Sequence, residues 1–307
     1  MIAATTMIVV QLTGGLGNQL FQYTFARHLA LLNESDLLLD TTQVESRSDP
    51  SHRRKYKLHH FSIASQAVNW DSRLGLSFQA RGERYSRGPV SRLSRLFRNS
   101  RHLQELSESH FHFDATALAS RGDFYVTSYW QSPRYFDLIA NQIRADLVLD
   151  QPLSLEHQLI KDQIEATAGS VALIVRRGDF ANHPHHSKFH GCCSQEYYQE
   201  AQVLIQSKVE DPHLFIFSDD IDWVRDNISF SCSTTFMDHP YDHSHYDYVD
   251  LHLISICQHH IIANSTFGWW GAWLNNYSDQ IAIAPKRWFL DESIDTSDAC
   301  PAEWIRI

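Results

Sequence analysis

The opening of the chain constrains the fold more than any other stretch. Residues 7–12 (MIVVQL) form a short apolar run that stops at Thr13-Gly14-Gly15, the pattern of a buried strand delivered into a tight turn. Residues 18–32 then carry apolar side chains at Leu20, Phe21, Tyr23, Phe25, Ala26, Leu29, Ala30 and Leu32, which is helical spacing. Residues 37–39 read as the next strand. Strand, glycine turn, helix and strand make a βαβ unit, which commits this part of the chain to a parallel sheet.

A second alternation starts near residue 170. Strands are expected at 171–175, 213–217 (HLFIF), 260–263 and 280–284. Helices are expected at 195–205, 221–228, 246–257 and 266–274. This half reads as a second Rossmann-like domain. The polar stretch at Asp150-Gln151-Pro152 sets the expected division, with domains at 1–155 and 156–307. Residues 45–125 are polar, rich in Arg and Ser, and have no clean period; 124–130 is aromatic and β-branched and reads as a strand.

At 307 residues the chain can bury a core without disulfide or metal staples. Its net charge of −10 argues against nucleic acid as a partner. The five cysteines are odd in number and contain no CxxC pair, which favours a reducing compartment. The N-terminus lacks the basic n-region of a signal peptide, and no apolar run approaches the roughly 18 residues of a membrane span. A cytoplasmic protein is expected. Arg81, Arg84, Arg87, Arg92, Arg95, Arg98 and Arg101 accompany Leu93, Leu96 and Phe97; this stretch is either a solvated basic loop or a peripheral contact with an anionic membrane.

In open α/β sheets ligands sit at the carboxyl ends of strands, so the residues that follow the strands are the candidates for chemistry. Gly14-Gly15-Leu16-Gly17-Asn18 lets backbone N–H groups approach an anion or a sugar closely, or only makes a tight turn. Arg176-Arg177-Gly178-Asp179 leaves a buried strand with two guanidinium groups that can hold phosphate oxygens in a fork; Asp179 is placed to orient one of them. Asp219-Asp220-Ile221-Asp222 offers carboxylates for a metal, but helix capping by Asp220 with Asp222 at the positive end of the dipole is the simpler reading. Asn264-Ser265-Thr266 opens a helix whose free N–H groups and hydroxyls form a phosphate cradle. Trp269, Trp270 and Trp273 read as core rather than as a sugar platform. His183, His185, His186, His190, His239, His243 and His245 match no zinc spacing; a histidine of the first group is a possible general base.

Taken together, these motifs resemble the bacterial α-1,2-fucosyltransferase family, glycosyltransferase family 11. The resemblance rests on GGLGNQLFQY at 14–23, YWQS at 129–132, VRRGDF at 175–180, HGCCSQEYY at 190–198, FSDD at 217–220 and IIANSTFGWWGAWLN at 261–275. It implies a GT-B-like α/β architecture, two Rossmann-like domains facing across a cleft, and an inverting transfer of L-fucose from GDP-β-L-fucose to the 2-OH of a terminal β-galactose with no obligatory metal or other cofactor. It further implies that Arg176 contacts the departing GDP phosphate and that Asn18 faces the donor. Asp250 would bond guanine, and Ser265 and Thr266 would bind phosphate.

The expected donor set is therefore Gly15, Gly17, Asn18, Arg176, Arg177, Asp250, Asn264, Ser265 and Thr266, with Arg176 and Asp179 catalytic. Trp130, Gln131, His190 and Tyr197 are candidates for the acceptor, a galactose-terminated oligosaccharide or lipid-linked glycan. The chain departs from the family at Ile174, where a histidine associated with nucleotide binding usually stands. A metal-dependent glycosyltransferase using Asp219, Asp220 and Asp222, or a non-catalytic protein that binds a glycan or nucleotide sugar, remains open at this point.

Overall fold

The computed structural model describes residues 6–45, 55–71, 75–77, 103–238 and 246–307, without the side chains of 45, 69–71, 75–77, 179, 182 and 184–186. The arginine-rich stretch 81–101 and His239, His243 and His245 lie outside the described residues, as do the side chains of Asp179, His185 and His186. The chain divides into two compact units, Met1–Val148 and Leu149–Ile307; the division falls after Val148 rather than after residue 155.

The first unit is built on a six-stranded sheet. Its strands are β1 (Met7–Gln11), β2 (Asp36–Asp40), β3 (Gln66–Asp71), β4 (Gly75–Ser77), β5 (Gln104–Leu106) and β6 (Phe124–Val126), in the order β4-β3-β2-β1-β6-β5. All neighbours are parallel except β3 and β4. The central strand β1 is buried at Met7, Ile8, Val9 and Val10, as a strand covered on both faces must be. The helix Leu16–Leu32 returns the chain to β2, and its core side includes Leu20, Phe21, Tyr23, Phe25 and Leu29. The strand expected through residue 130 stops at Val126, because the left-handed backbones of Ser128 (φ 74°) and Trp130 (φ 60°) cannot continue a ladder.

The second unit carries β7 (Ser170–Val175), β8 (His213–Ser218), β9 (Ser233–Phe236), β10 (His259–Ile261), β11 (Ala282–Ala284) and β12 (Ile305–Arg306), in the order β12-β11-β10-β7-β8-β9. Every pair is parallel. Counted from the start of this unit the order is 3-2-1-4-5-6, the doubly wound dinucleotide-binding topology, whose strand order reverses between β7 and β10. On one face Val171, Leu173 and Val175 pack with Leu214, Ile216, Tyr198, Ala201, Ile205 and Val224. On the other, Ile174 lies under Gly268 of the helix Thr266–Leu274, so close that a Cβ on Gly268 would sit 3.3 Å from Ile174 Cγ2. The residue found in place of the family histidine is thus a buried packing contact. Trp269, Trp270 and Trp273 are buried; Trp269 lies parallel to Trp273, Trp270 meets both edge-on, Trp304 tilts against Trp269, and Trp269 donates its indole N–H to Ala299 O at 2.8 Å. They are core.

Candidate active site

The reversal point of the second unit lies at the carboxyl ends of β7 and β10. The sequence places Arg176-Arg177 after the first and Asn264-Ser265-Thr266 after the second. β7 and β8 run parallel with Val175 opposite Ser218, so the next residues on each chain, Arg176-Arg177 and Asp219-Asp220, emerge side by side. Arg176 Nη1 lies 2.6 Å from Asp219 Oδ2. Arg177 donates its backbone N–H to Asp219 Oδ1 at 2.8 Å and its Nε–H to Asp220 Oδ2 at 3.2 Å. The Arg177 guanidinium also covers the Trp223 ring at 3.6 Å, a cation–π contact that fixes its plane. Each arginine thus keeps a set direction and a half-buried charge that an anion can share.

The carboxylates that orient the arginines are Asp219 and Asp220, a role the sequence reading gave to Asp179. Asp220 is also the N-cap of the helix Ile221–Asn227 and accepts from Trp223 N. Asp222 is 94% exposed and pairs with Arg225 at 3.6 Å. The capping interpretation therefore holds for Asp220, while Asp219 serves the arginines and Asp222 stands outward in the first turn of the helix.

At the end of β10, Ser265 is the N-cap of the helix Thr266–Leu274 but makes no side-chain capping bond. Its side chain is buried, and its hydroxyl has no hydrogen-bond partner among the described residues. An uncommitted hydroxyl at the positive end of a helix dipole is the chemistry of an anion cradle. Thr266 opens the same helix. Asp250 is buried in the first turn of the helix Asp247–Ile256, which packs against the Thr266–Leu274 helix through Ile254 and Gly271.

Asn264 requires a correction. It was expected among the donor contacts, but its side chain is spent on the protein. Asn264 Nδ2 donates to His190 O at 3.0 Å, Gly191 O at 3.3 Å and Trp288 O at 3.2 Å. Its Oδ1 receives the Cys193 thiol at 3.6 Å, and burial pushes that thiol's pKa up to about 11. One amide ties together the segments that follow β7, β10 and β11. Tyr197 is likewise turned inward: its hydroxyl donates to Ile262 O at 2.6 Å, and burial holds its pKa well above the usual tyrosine value. That hydroxyl is not presented to an acceptor. His190 stacks flat on Phe180, 4.3 Å between centroids and 5° between planes, and Phe180 in turn lies 5.4 Å from the Arg176 guanidinium.

In the first unit, the reversal point lies between β1 and β6. Gly14 (φ 75°) turns the chain there, with Asn18 Nδ2 folded over it. Gly15 caps and Gly17 enters the helix Leu16–Leu32. Gln131 Nε2 donates to Asn18 Oδ1 at 3.1 Å, so two of the expected residues do meet. The remaining polar residues of the glycine motif hold the fold together. Gln19 bridges Gly14 O, Lys55 O and Lys57 N. Gln22 joins Thr13 to Ser128 O, and Tyr23 donates to Asp146 Oδ2 at 2.7 Å. Trp130, expected at the acceptor, is only 1% exposed and lies stacked on Phe25 at 3.7 Å. It is a core anchor, not a sugar platform.

The family model for glycosyl transferase family 11 matches residues 99–307. The chain belongs to glycosyl transferase family 11. It is 30% identical over 305 residues to an α-1,2-colitosyltransferase of Escherichia coli, covering 98% of this chain and 99% of that one. It is 31% identical to the O-antigen biosynthesis glycosyltransferase WbnK of Escherichia coli, covering 96% of this chain and 99% of that one. Among solved structures it is similar to the fucosyltransferase NodZ from Bradyrhizobium, with 15% identity, 88% of this chain and 93% of that one covered, and a TM-score of 0.46. It is also similar to the E. coli ADP-heptose heptosyltransferase II, with 14% identity, 98% and 90% coverage and a TM-score of 0.42. The protein is a glycosyltransferase whose two compact units each carry a largely parallel sheet with helices. Among the described residues no helix is long and apolar enough to cross a membrane.

Proposed function

We propose that this glycosyltransferase transfers L-fucose from GDP-β-L-fucose, with inversion, to the 2-OH of a terminal β-galactose on an oligosaccharide or lipid-linked glycan. The acceptor oxygen bonds to the anomeric carbon as the bond from that carbon to the diphosphate breaks. The proton passes to a base, and GDP leaves carrying the negative charge. The observation that carries this reading is the pair of oriented arginines beside the Ser265-Thr266 helix start, at the reversal point of a dinucleotide-binding sheet.

Arg176, Arg177 and the helix N–H groups bind the diphosphate and stabilise its departure by electrostatic preorganisation. Asp219 and Asp220 keep both guanidinium groups aimed, and no metal or other cofactor takes part in the step. Asp250 serves the guanine, and Asp179 is the first candidate for the base. The protein works in the cytoplasm, and residues 81–101 provide any contact with the inner membrane face.

A second reading concerns the donor sugar. The similarity to an α-1,2-colitosyltransferase over nearly the whole chain favours nucleotide-activated colitose as the competing donor, at the same site and by the same chemistry. The deciding experiment measures GDP release from GDP-fucose, and from the colitose donor, across a panel of β-galactosides with EDTA present. Faster release from the colitose donor replaces fucose in this proposal. Activity lost in EDTA and restored by a divalent cation removes the metal-free mechanism.

A further inference from the structure

Gln131 is a buried polar side chain that uses one of its two N–H donors and, among the described residues, neither lone pair of its carbonyl. It is 8% exposed, and its one side-chain hydrogen bond among the described residues is the donation from Nε2 to Asn18 Oδ1. Its carbonyl Oε1 has no donor among the described residues. Oε1 is not among the atoms sealed from solvent; it is the open end of an otherwise buried side chain, placed to exchange its water for a ligand's donor.

The loop that carries Gln131 is built to hold it there. Ser128 and Trp130 both have left-handed backbones, a conformation that non-glycine residues adopt at a cost and keep only where their surroundings impose it. Here the surroundings do. The Trp130 ring is stacked on Phe25 and edge-on to Tyr135, and its indole N–H donates to Thr127 O at 2.6 Å. Gln22 donates to Ser128 O, Glu108 N–H donates to Ser128 Oγ, and Tyr129 N–H donates to Glu108 Oε2. The loop follows β6, and Asn18 follows β1, its neighbour in the sheet. Gln131 and Asn18 therefore sit at the ligand-binding edge of the first unit.

We propose that Gln131 Oε1 accepts a hydrogen bond from a hydroxyl of the acceptor sugar, so that Gln131 and Asn18 form a hydroxyl-reading subsite for a neutral pyranose. An accept-only carbonyl needs a donor, and a sugar hydroxyl is one. Neither Asn18 nor Gln131 carries a charge, which suits a neutral ligand, whereas the arginines serving the diphosphate belong to the second unit. Nε2, held by Asn18, fixes which end of the amide faces the sugar. This inference rests on the transferase reading above.

The test pairs enzyme variants with trimmed substrates. Wild type, Gln131→Met and Gln131→Glu are assayed by GDP release from GDP-fucose with methyl β-galactoside and its monodeoxy analogues, and by slow donor hydrolysis without acceptor. Met keeps the length and removes the acceptor atom; Glu keeps an oxygen at that place. GDP titration and thermal melting of each variant report on folding. Gln131→Met is expected to lower acceptor kcat/KM roughly 10- to 100-fold, with GDP affinity and donor hydrolysis unchanged and Gln131→Glu less impaired. One monodeoxy acceptor should be poor for wild type yet no worse than the parent sugar for Gln131→Met, since the bond it lacks is already gone.

A folded Gln131→Met enzyme with acceptor kcat/KM within twofold of wild type overturns the inference, as does equal discrimination among deoxy acceptors by both enzymes. Loss of donor hydrolysis together with transfer would move Gln131 to the donor and overturn it as well. Wild type that hydrolyses GDP-fucose yet fucosylates no pyranoside refutes the transferase reading itself, and the subsite with it.

Discussion

Gly178→Ala is a one-carbon wedge driven into the arginine site. Gly178 begins the helix Gly178–Asn182, and its backbone is not left-handed, so alanine would ordinarily be welcome there. A Cβ at this position would stand 3.1 Å from Asp219 Cγ and closer still to Oδ2. Carbon atoms keep roughly 3.5–4.0 Å apart, so the carboxylate must turn away. Turning breaks its pairing with Arg176 at 2.6 Å and strains the bond it accepts from Arg177 N at 2.8 Å.

A charge-assisted hydrogen bond contributes about 1.5–3 kcal/mol. Both side chains are about a quarter exposed, so solvent screening reduces that to about 1–2 kcal/mol. With Arg176 no longer aimed, kcat/KM for the GDP-sugar should fall about tenfold. The decisive assay is a double-mutant cycle with Asp219→Ala, read by GDP affinity and by kcat/KM. Asp219→Ala costs about as much as the wedge but also removes the obstacle, so Gly178→Ala added to it should cost nothing further. Additive losses, or a Gly178→Ala enzyme as active as wild type, would refute the claim that Asp219 acts by steering Arg176.

Three other outcomes are expected. Arg176→Ala should abolish transfer while leaving the melting temperature near that of wild type, and Arg176→Lys should also be poor, since a point charge cannot reproduce the fork; unchanged kcat/KM in either would remove Arg176 from the site. Asn264→Asp turns a double donor into an acceptor facing the carbonyls of His190, Gly191 and Trp288, and should cost about 2–4 kcal/mol in urea unfolding, an expectation ended by an unshifted midpoint. His260 is buried and neutral, with Nε2 bonded to Ile254 O, and burial pushes its pKa down to about 4. Its unfolded pKa is about 6.5, so the unfolded chain takes up the proton first, and stability should fall by about 2 kcal/mol as pH drops from 6.5 to 4.5. His260→Gln should flatten that part of the stability curve, and an unaltered slope would assign the acid sensitivity elsewhere.

Much of the scaffold was legible because its central strands are apolar along most of their length. β7, β8, β1 and the helix Thr266–Leu274 announce themselves by burial on both faces. The outer strands do not. β9 is Ser233–Phe236 and β12 is Ile305–Arg306, short polar-containing segments whose strand character comes only from the neighbour they pair with. The helix Leu155–Ala166 was missed as well; it has few buried residues, and its Ser154 cap was the available signal.

At the site, the arginines and the Ser265-Thr266 helix start were read from their places after strands. Asp219 was given no part in aiming Arg176, since that pairing depends on β7 lying beside β8 with flush ends. Opposite charges following two adjacent parallel strands were the clue. Asn264 and Trp130 were misplaced for a common reason. Both belong to motif-rich loops, and only the three-dimensional packing tells a side chain that meets a ligand from one that holds the loop.

The shared amide of Asn264 makes three stretches of chain behave as one part. A residue inserted after β7 or β11 would draw its carbonyl out of reach of the same two protons, and one inserted after β10 would move the amide itself, so each would loosen the other stretches too. New substrate preferences should therefore be engineered by side-chain replacement at this end of the second unit, with changes in loop length confined to places that Asn264 does not touch.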